Sequence, residues 1–189
     1  MEDVSSDWDE ELQRIRENDP HTTDFGDESY DEEIRNMTND GLEQLGKDIA
    51  NNTHLTYVDL SHGALNDHVM SFLFRGLTRS SSINHMLLYE NQLSVAGTSM
   101  VPFLQNANSL TYLDLDDNNL QSEGFNELFR ALSDSPIERV DCCRCGIESI
   151  DIDIEHTPRQ LKDLHLDGNI IKADGCRELA KLLQGEMPL

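Results

Sequence analysis

Apolar residues recur along this chain in a fixed order: a short extended run, a turn, then apolar positions at helical spacing. The cleanest copy of the extended run is Leu110-Thr-Tyr-Leu-Asp-Leu-Asp-Asp-Asn-Asn-Leu120, an L-x-x-L-x-L-x-x-N-x-L string. Aligning other stretches on its first apolar position gives starts at Leu55, Ile83, Leu110, Ile137 and Leu161, spaced by 28, 27, 27 and 24 residues. The ninth position holds Gly63, Asn91, Asn118, Cys145 and Asn169. A buried side chain there has to hydrogen-bond the turning backbone; Asn does so, Cys offers a drier version, and Gly63 leaves that bond unmade. Fourteen residues after each start come Val69, Gly97, Gly124, Asp151 and Gly175, three of them Gly at the head of an apolar-periodic segment. One such unit cannot bury its own apolar face, whereas stacked units share a continuous core.

The period predicts strands over Thr56–Leu60, Asn84–Leu88, Thr111–Leu115 and Lys162–Leu166. It predicts a helix over Asp67–Thr78 with Phe72, Leu73 and Leu77 inward, and another carrying Met100, Phe103 and Leu104. A third carries Phe125, Leu128 and Leu132 and ends near Ser133; the last carries Leu179, Leu182 and Leu183. Gly41–Ile49, with Leu42, Leu45 and Ile49, reads as the helix half of a unit whose strand half has degenerated. The fourth unit differs: Ile150-Asp-Ile152-Asp-Ile154 alternates with period two, which favours an extended segment over a helix. After Gly185-Glu-Met-Pro-Leu189 no polar cap follows, so the apolar edge of the last unit is expected to be a contact surface or the mark of a longer array.

This pattern resembles the leucine-rich-repeat family, in its ribonuclease-inhibitor-like class, over about residues 39–187. The resemblance implies an α/β leucine-rich-repeat solenoid: a curved right-handed array with parallel strands on the concave face and helices mostly on the convex one. Residues 39–189 are assigned to that domain and residues 1–38 to an acidic N-terminal segment. Within the latter, Ser6-Asp-Trp-Asp9 resembles a capping box, and Trp8, Leu12 and Ile15 recur at helical spacing until Asn18-Asp-Pro20 stops the helix. Either that helix docks over the first edge of the stack, as terminal caps do, or it belongs to a disordered acidic tail. The charge-dense stretch 19–36 is expected as loop or disorder. The runs Leu12-Gln-Arg-Ile-Arg-Glu-Asn-Asp19 and Ile49-Ala-Asn-Asn-Thr-His54 resemble the opening of the tropomodulin repeat domain, where one helix ends in a similar Asn-Asp turn and a later one in an Asn-Thr-His-like turn. Nothing about actin is read from motifs this short.

In an extended strand alternate side chains face opposite sides, so positions 4 and 6 point to the core and positions 3, 5 and 7 to the open face. Two zones follow. One is aromatic and apolar: Tyr57, His85, Leu87, Tyr89 and Tyr112. The other is rich in carboxylates: Asp114, Asp116, Asp141, Asp163 and Asp167, with Arg139 placed to relieve it. Tyr is enriched where binding energy concentrates, and unrelieved carboxylates repel one another. These ten residues are the expected partner-binding site, and a basic or amphipathic protein segment is its expected ligand; an idle solvated sheet face is the plainer alternative.

Charge supports the choice. The net charge is −23, about half of it in residues 1–38, and such a field repels nucleic acid and anionic membrane while steering basic partners. It also serves solubility. The chain has no run of 18 apolar residues and no basic-then-apolar leader, so the expectation is a cytoplasmic protein, with a nuclear location also open. Chemistry is mostly declined. Cys142-Cys-Arg-Cys145 contains a C-x-x-C, but the register gives Cys142 a core slot and Cys145 the Asn slot, leaving only Cys143 outward and no second pair at ligand spacing. Phosphate loops, nucleophile elbows and calcium-loop spacings do not occur, so no catalytic residue, cofactor or metal is expected. The leading expectation is a non-catalytic interaction module. The alternative is a GTPase-activating or regulatory subunit, on a resemblance to the acidic Ran GTPase-activating proteins, which have many more units.

Overall fold

The computed structural model describes residues 4–26, 30–94, 97–151, 153 and 156–183. Six parallel strands form one sheet in chain order: β1 (Asp24–Phe25), β2 (Tyr57–Asp59), β3 (His85–Leu87), β4 (Tyr112–Asp114), β5 (Arg139–Asp141) and β6 (Asp163–His165). The helices are α1 (Val4–Arg16), α2 (Asp31–Asn36), α3 (Asn39–Asn51), α4 (Asp67–Leu77), α5 (Gly97–Leu104), α6 (Gln121–Ala131) and α7 (Ala173–Leu183). This is an α/β leucine-rich-repeat solenoid. From β2 onward each strand pairs with the next in the register that the repeat alignment demands, Tyr57 beside His85, Tyr112, Arg139 and Asp163 in turn.

Positions 4 and 6 explain why the stack holds. Val58, Leu60, Met86, Leu88, Leu113, Leu115, Val140 and Cys142 are all buried, a row of apolar side chains running through the units. Thr38 and Asn66 start α3 and α4 by accepting the N–H groups of Gly41 and Val69, both at 3.1 Å, which satisfies donors that a helix start leaves orphaned. Within α4 the buried aromatic is Phe74 rather than Phe72, which lies on the flank against His68 and under Arg75. Between β5 and β6 no α-helix is present among the described residues, in line with the alternation at 150–154; Ile152 and Ile154 themselves lie outside the described residues.

The N-terminal segment differs most from expectation. The stretch 19–36, expected as loop or disorder, contains β1 and α2. Strand β1 pairs Asp24 with Tyr57 and Phe25 with Val58, so it is the strand half missing from the unit of α3, set 33 positions before β2. Helix α1 starts at Val4, so Ser6 is inside the helix and not at its cap; the Ser6 side chain lies outside the described residues. Trp8, Leu12 and Ile15 are buried and belong to the same core as the repeats, with Phe25, Tyr30 and Ile34 beside them. The helix closes the first edge of the stack.

Helices α3 and α4 approach so closely that only glycine fits at the crossing. A Cβ on Gly76 would lie 2.6 Å from the Lys47 amide nitrogen and inside the contact radius of the Glu43 carbonyl; one on Gly46 would strike the Leu73 carbonyl. Alanine ordinarily favours a helix over glycine by about 1 kcal/mol. At Gly76 the sign reverses: Gly76→Ala is expected to destabilise by about 1–3 kcal/mol, the range for overpacking, as read by urea unfolding. A stabilised variant would show that the two helices are further apart.

Candidate strand-face interface

The sheet register brings positions 3 and 5 into two columns on the open face. Along position 3, Tyr57 meets His85 edge-on with ring centroids 6.1 Å apart, and His85 meets Tyr112 in the same way at 5.8 Å. The ladder ends at Arg139, whose guanidinium lies 4.9 Å from the Tyr112 ring centroid. Of the expected aromatic zone, Tyr57, His85, Leu87 and Tyr112 thus share adjoining strands. Tyr89 is turned toward the rim, edge-on to His62 at 4.5 Å and with its hydroxyl 2.9 Å from His62 Nε2.

The carboxylate zone is less open than position counting implies. Asp141 is only 4% exposed. The Tyr112 hydroxyl donates to it at 2.9 Å, Arg139 grips it at 2.7–3.1 Å, and His165 Nδ1 stands 3.3 Å away. It is the internal brace of the face, not a contact group. Asp116 is committed too, accepting from the Cys143 amide at 2.6 Å. Asp114 is half-buried; it accepts from the Asp116 amide at 3.0 Å and from the Tyr112 hydroxyl at 3.1 Å. Burial raises its pKa, with Asp116 and Asp141 adding repulsion, while those two donors pull the other way. Burial, the bond to Asp141 and the adjacent negative charges together keep the Tyr112 phenol protonated far past its ordinary range. Asp163 and Asp167 are exposed at the far end. Cys143, expected outward, is buried, and burial pushes its thiol up to about 11.

Position 8, one step past the face, was not singled out in the sequence. It holds His62, Glu90, Asp117, Arg144 and Gly168, every one with φ between 51° and 73°. The left-handed turn strains all but Gly168, at a cost on the order of 1 kcal/mol or more each. Neighbours in this column pair: His62 Nδ1 with Glu90 at 2.9 Å, and Arg144 Nε with Asp117 at 2.6 Å. The Arg144 guanidinium holds the Asp117 carboxyl below its usual range. Writing the repeats as columns and reading opposite charges in adjacent rows was the signal available for this rim.

Cys142 and Cys145 occupy their repeat slots, both buried, with the Cys145 thiol donating to the Leu115 carbonyl at 3.1 Å. The face as a whole offers a strip of edge-on aromatic rings, a braced Tyr–Asp–Arg–His centre and outlying carboxylates. Chemically, it can pack apolar or planar groups at one end and accept N–H donors at the other.

Strand register, the buried Asn91 and Asn118 and a helix after each strand but β5 define the class: this is a leucine-rich-repeat protein fold. A family model described as "Leucine Rich repeat" matches residues 51–68 and 106–125. Among solved structures, one of leiomodin-1 actin-binding site 2 is similar at 20% identity, covering 95% of this chain and 89% of that one with a TM-score of 0.61. The tropomodulin C-terminal domain of Caenorhabditis elegans is similar at 14% identity, covering 96% and 92% with a TM-score of 0.59. No curated protein sequence matches the chain significantly.

Proposed function

We propose that this chain is a non-catalytic, cytoplasmic protein-interaction module, with a repeat domain that begins at β1 and with α1 as its cap. Its concave strand face holds a basic or amphipathic protein segment. The observation that carries the reading is the aromatic ladder Tyr57–His85–Tyr112 running into a carboxylate zone whose only described strand-face guanidinium, that of Arg139, is already spent on Asp141. The ladder takes the apolar side of the segment. Asp114, Asp163 and Asp167 take its ammonium or guanidinium groups, within a field set by a net charge of −23.

Asp141, Asp116 and Tyr112 are unsuitable for a clean test, since each holds the face together. Leu87→Ser, Asp163→Asn and Asp167→Asn change groups with few internal partners, and His85→Ser gives up only the two edge-on ring contacts to Tyr57 and Tyr112. Combined, they are expected to weaken capture of immobilised Lys/Arg-rich amphipathic peptides at least tenfold, about 1.4 kcal/mol, with the variant still fully folded at the assay temperature by circular dichroism. Equal capture by the variant would reject the concave site. A second reading has a specific observation behind it: a structure named for actin binding aligns over nearly the whole chain. Co-sedimentation with actin filaments tests it; pelleting of the chain that survives the four substitutions would place actin on another surface. Stimulated GTP hydrolysis in a panel of small GTPases would overturn the non-catalytic reading.

A further inference from the structure

Among the described residues the repeat core is covered at its first edge and open at its last. Leu110, Leu113 and Leu115 in the β4 unit are fully buried, while their equivalents Leu161, Leu164 and Leu166 are only partly so. With Leu179 and Leu182 of α7 these three line an open cleft of about 520 Å³. The strand beside the cleft is open as well. The Asp163 amide donates to the Glu138 carbonyl and the His165 carbonyl accepts from Cys142, so residues 163 and 165 turn their main-chain groups toward β5. Alternation along the strand turns the N–H and C=O of Leu164 outward.

We propose that this edge receives a second copy of this chain, by antiparallel pairing of the two β6 strands about a two-fold axis at Leu164. Three observations converge on that occupant and register. A residue with both main-chain groups outward can exchange both hydrogen bonds with its own symmetry mate, which makes Leu164 opposite Leu164 of the second copy a narrow, doubly bonded pair. In that register Asp163 stands opposite His165 of the second copy, and by symmetry the reverse, so an acid faces an imidazole twice on the concave side. Shifting the axis one residue either way sets Asp163 against Asp163, or Asp163 against Asp167, which like charge disfavours. Finally, the two apolar clefts come together and the half-covered leucines of each copy are buried by the other.

The assembly joins the two six-stranded sheets into one and places Asp163 and Asp167 of both copies on a common concave surface. It does not depend on what that surface binds. The full chain is expected to sediment as a dimer that dissociates on dilution, and Leu182→Lys, at a half-exposed position, to weaken association at least tenfold while leaving the far-ultraviolet circular dichroism unchanged. Register is read by disulfide trapping in a Cys176→Ser background. Asp163→Cys and His165→Cys chains, mixed and oxidised with glutathione disulfide, are expected to give a covalent dimer joined between the two variants, whereas either alone gives none. A chain that stays monomeric at every concentration overturns the proposal, as does trapping by a single variant alone. So does a monomer that dimerises only when residues 184–189 are removed, which would make the chain's own tail the occupant.

Discussion

Trp8→Ala should cost about 3–5 kcal/mol, the usual range for deleting a large aromatic side chain from a packed site, and most of that loss should fall on the N-terminal cap. Trp8 is 8% exposed. Its ring packs 5.1 Å from Tyr30 and 6.0 Å from Phe25, centroid to centroid, and Phe25 is the β1 residue that pairs with Val58. One side chain therefore connects α1, the first strand and the segment leading into α2. The other end of α1 is fixed differently, by Asn52 donating to the Ile15 carbonyl at 3.1 Å and by the Thr53 amide donating to Asn18 at 2.8 Å. Those polar bonds hold the turn but bury little apolar area, so they do not substitute for the aromatic cluster. Hydrogen exchange is the decisive measurement. Amides of α1 should exchange a hundredfold or more faster in the variant, while those of β4 and α6 change less, because repeat stability is a sum of local and nearest-neighbour contributions. Uniform acceleration along the chain would mean that the cap and the repeats unfold as one unit. A loss below about 1 kcal/mol would mean that α1 is not docked as described.

The repeats from Leu55 to Leu166 were legible because all but the fourth obey two periods at once, and the columns they predict are the columns seen. The first unit was not. Its strand half reads Thr22-x-x-Phe25, too little of L-x-x-L-x-L to stand out, and it lies 33 positions before its neighbour among many acidic residues. Its identity comes from pairing with β2, a tertiary contact that no local pattern announces. The same limit applies to the interface. Alternation correctly sent Tyr57, His85 and Tyr112 to one face, yet alternation carries no information on who bonds to whom. Asp141 reads as an exposed acid until Tyr112, Arg139 and His165 are seen to enclose it, and Ser61 and Cys143, at position 7, are buried because the strand has already begun to turn there.

That turn is where the second large effect is expected: Asn118→Ala should destabilise the protein by about 2–4 kcal/mol, through one orphaned buried amide and three lost carbonyl hydrogen bonds rather than lost contact area. Asn118 is buried, its amide nitrogen donating to the carbonyls of Leu88, Leu115 and Asp116 at 2.9, 3.1 and 3.2 Å. Its oxygen accepts the Leu93 amide at 3.0 Å, so one side chain satisfies groups of two successive units. Alanine leaves the buried Leu93 amide unpaired, at about 1–3 kcal/mol, and takes one of two donors from each carbonyl, Leu88 keeping Asn91, Leu115 the Cys145 thiol and Asp116 the Glu90 amide, less what an entering water restores. Asn118→Cys should cost less, because the thiol of Cys145, at the same position one unit on, already donates to the Leu115 carbonyl at 3.1 Å. A thiol is a weak acceptor, however, so the Leu93 amide stays unserved and the Cys variant remains below the parent. Chemical denaturation therefore ranks the three as Asn, Cys, Ala. The turn also carries Asp116 and Asp117, which hold the Cys143 amide and Arg144, so the damage extends to the strand face: on the proposed function, Asn118→Ala should also lower the affinity for a ligand of that face below the unfolding transition. An Ala variant as stable as the Cys one would show that the remaining donors and water, and not the side chain at 118, suffice for these carbonyls.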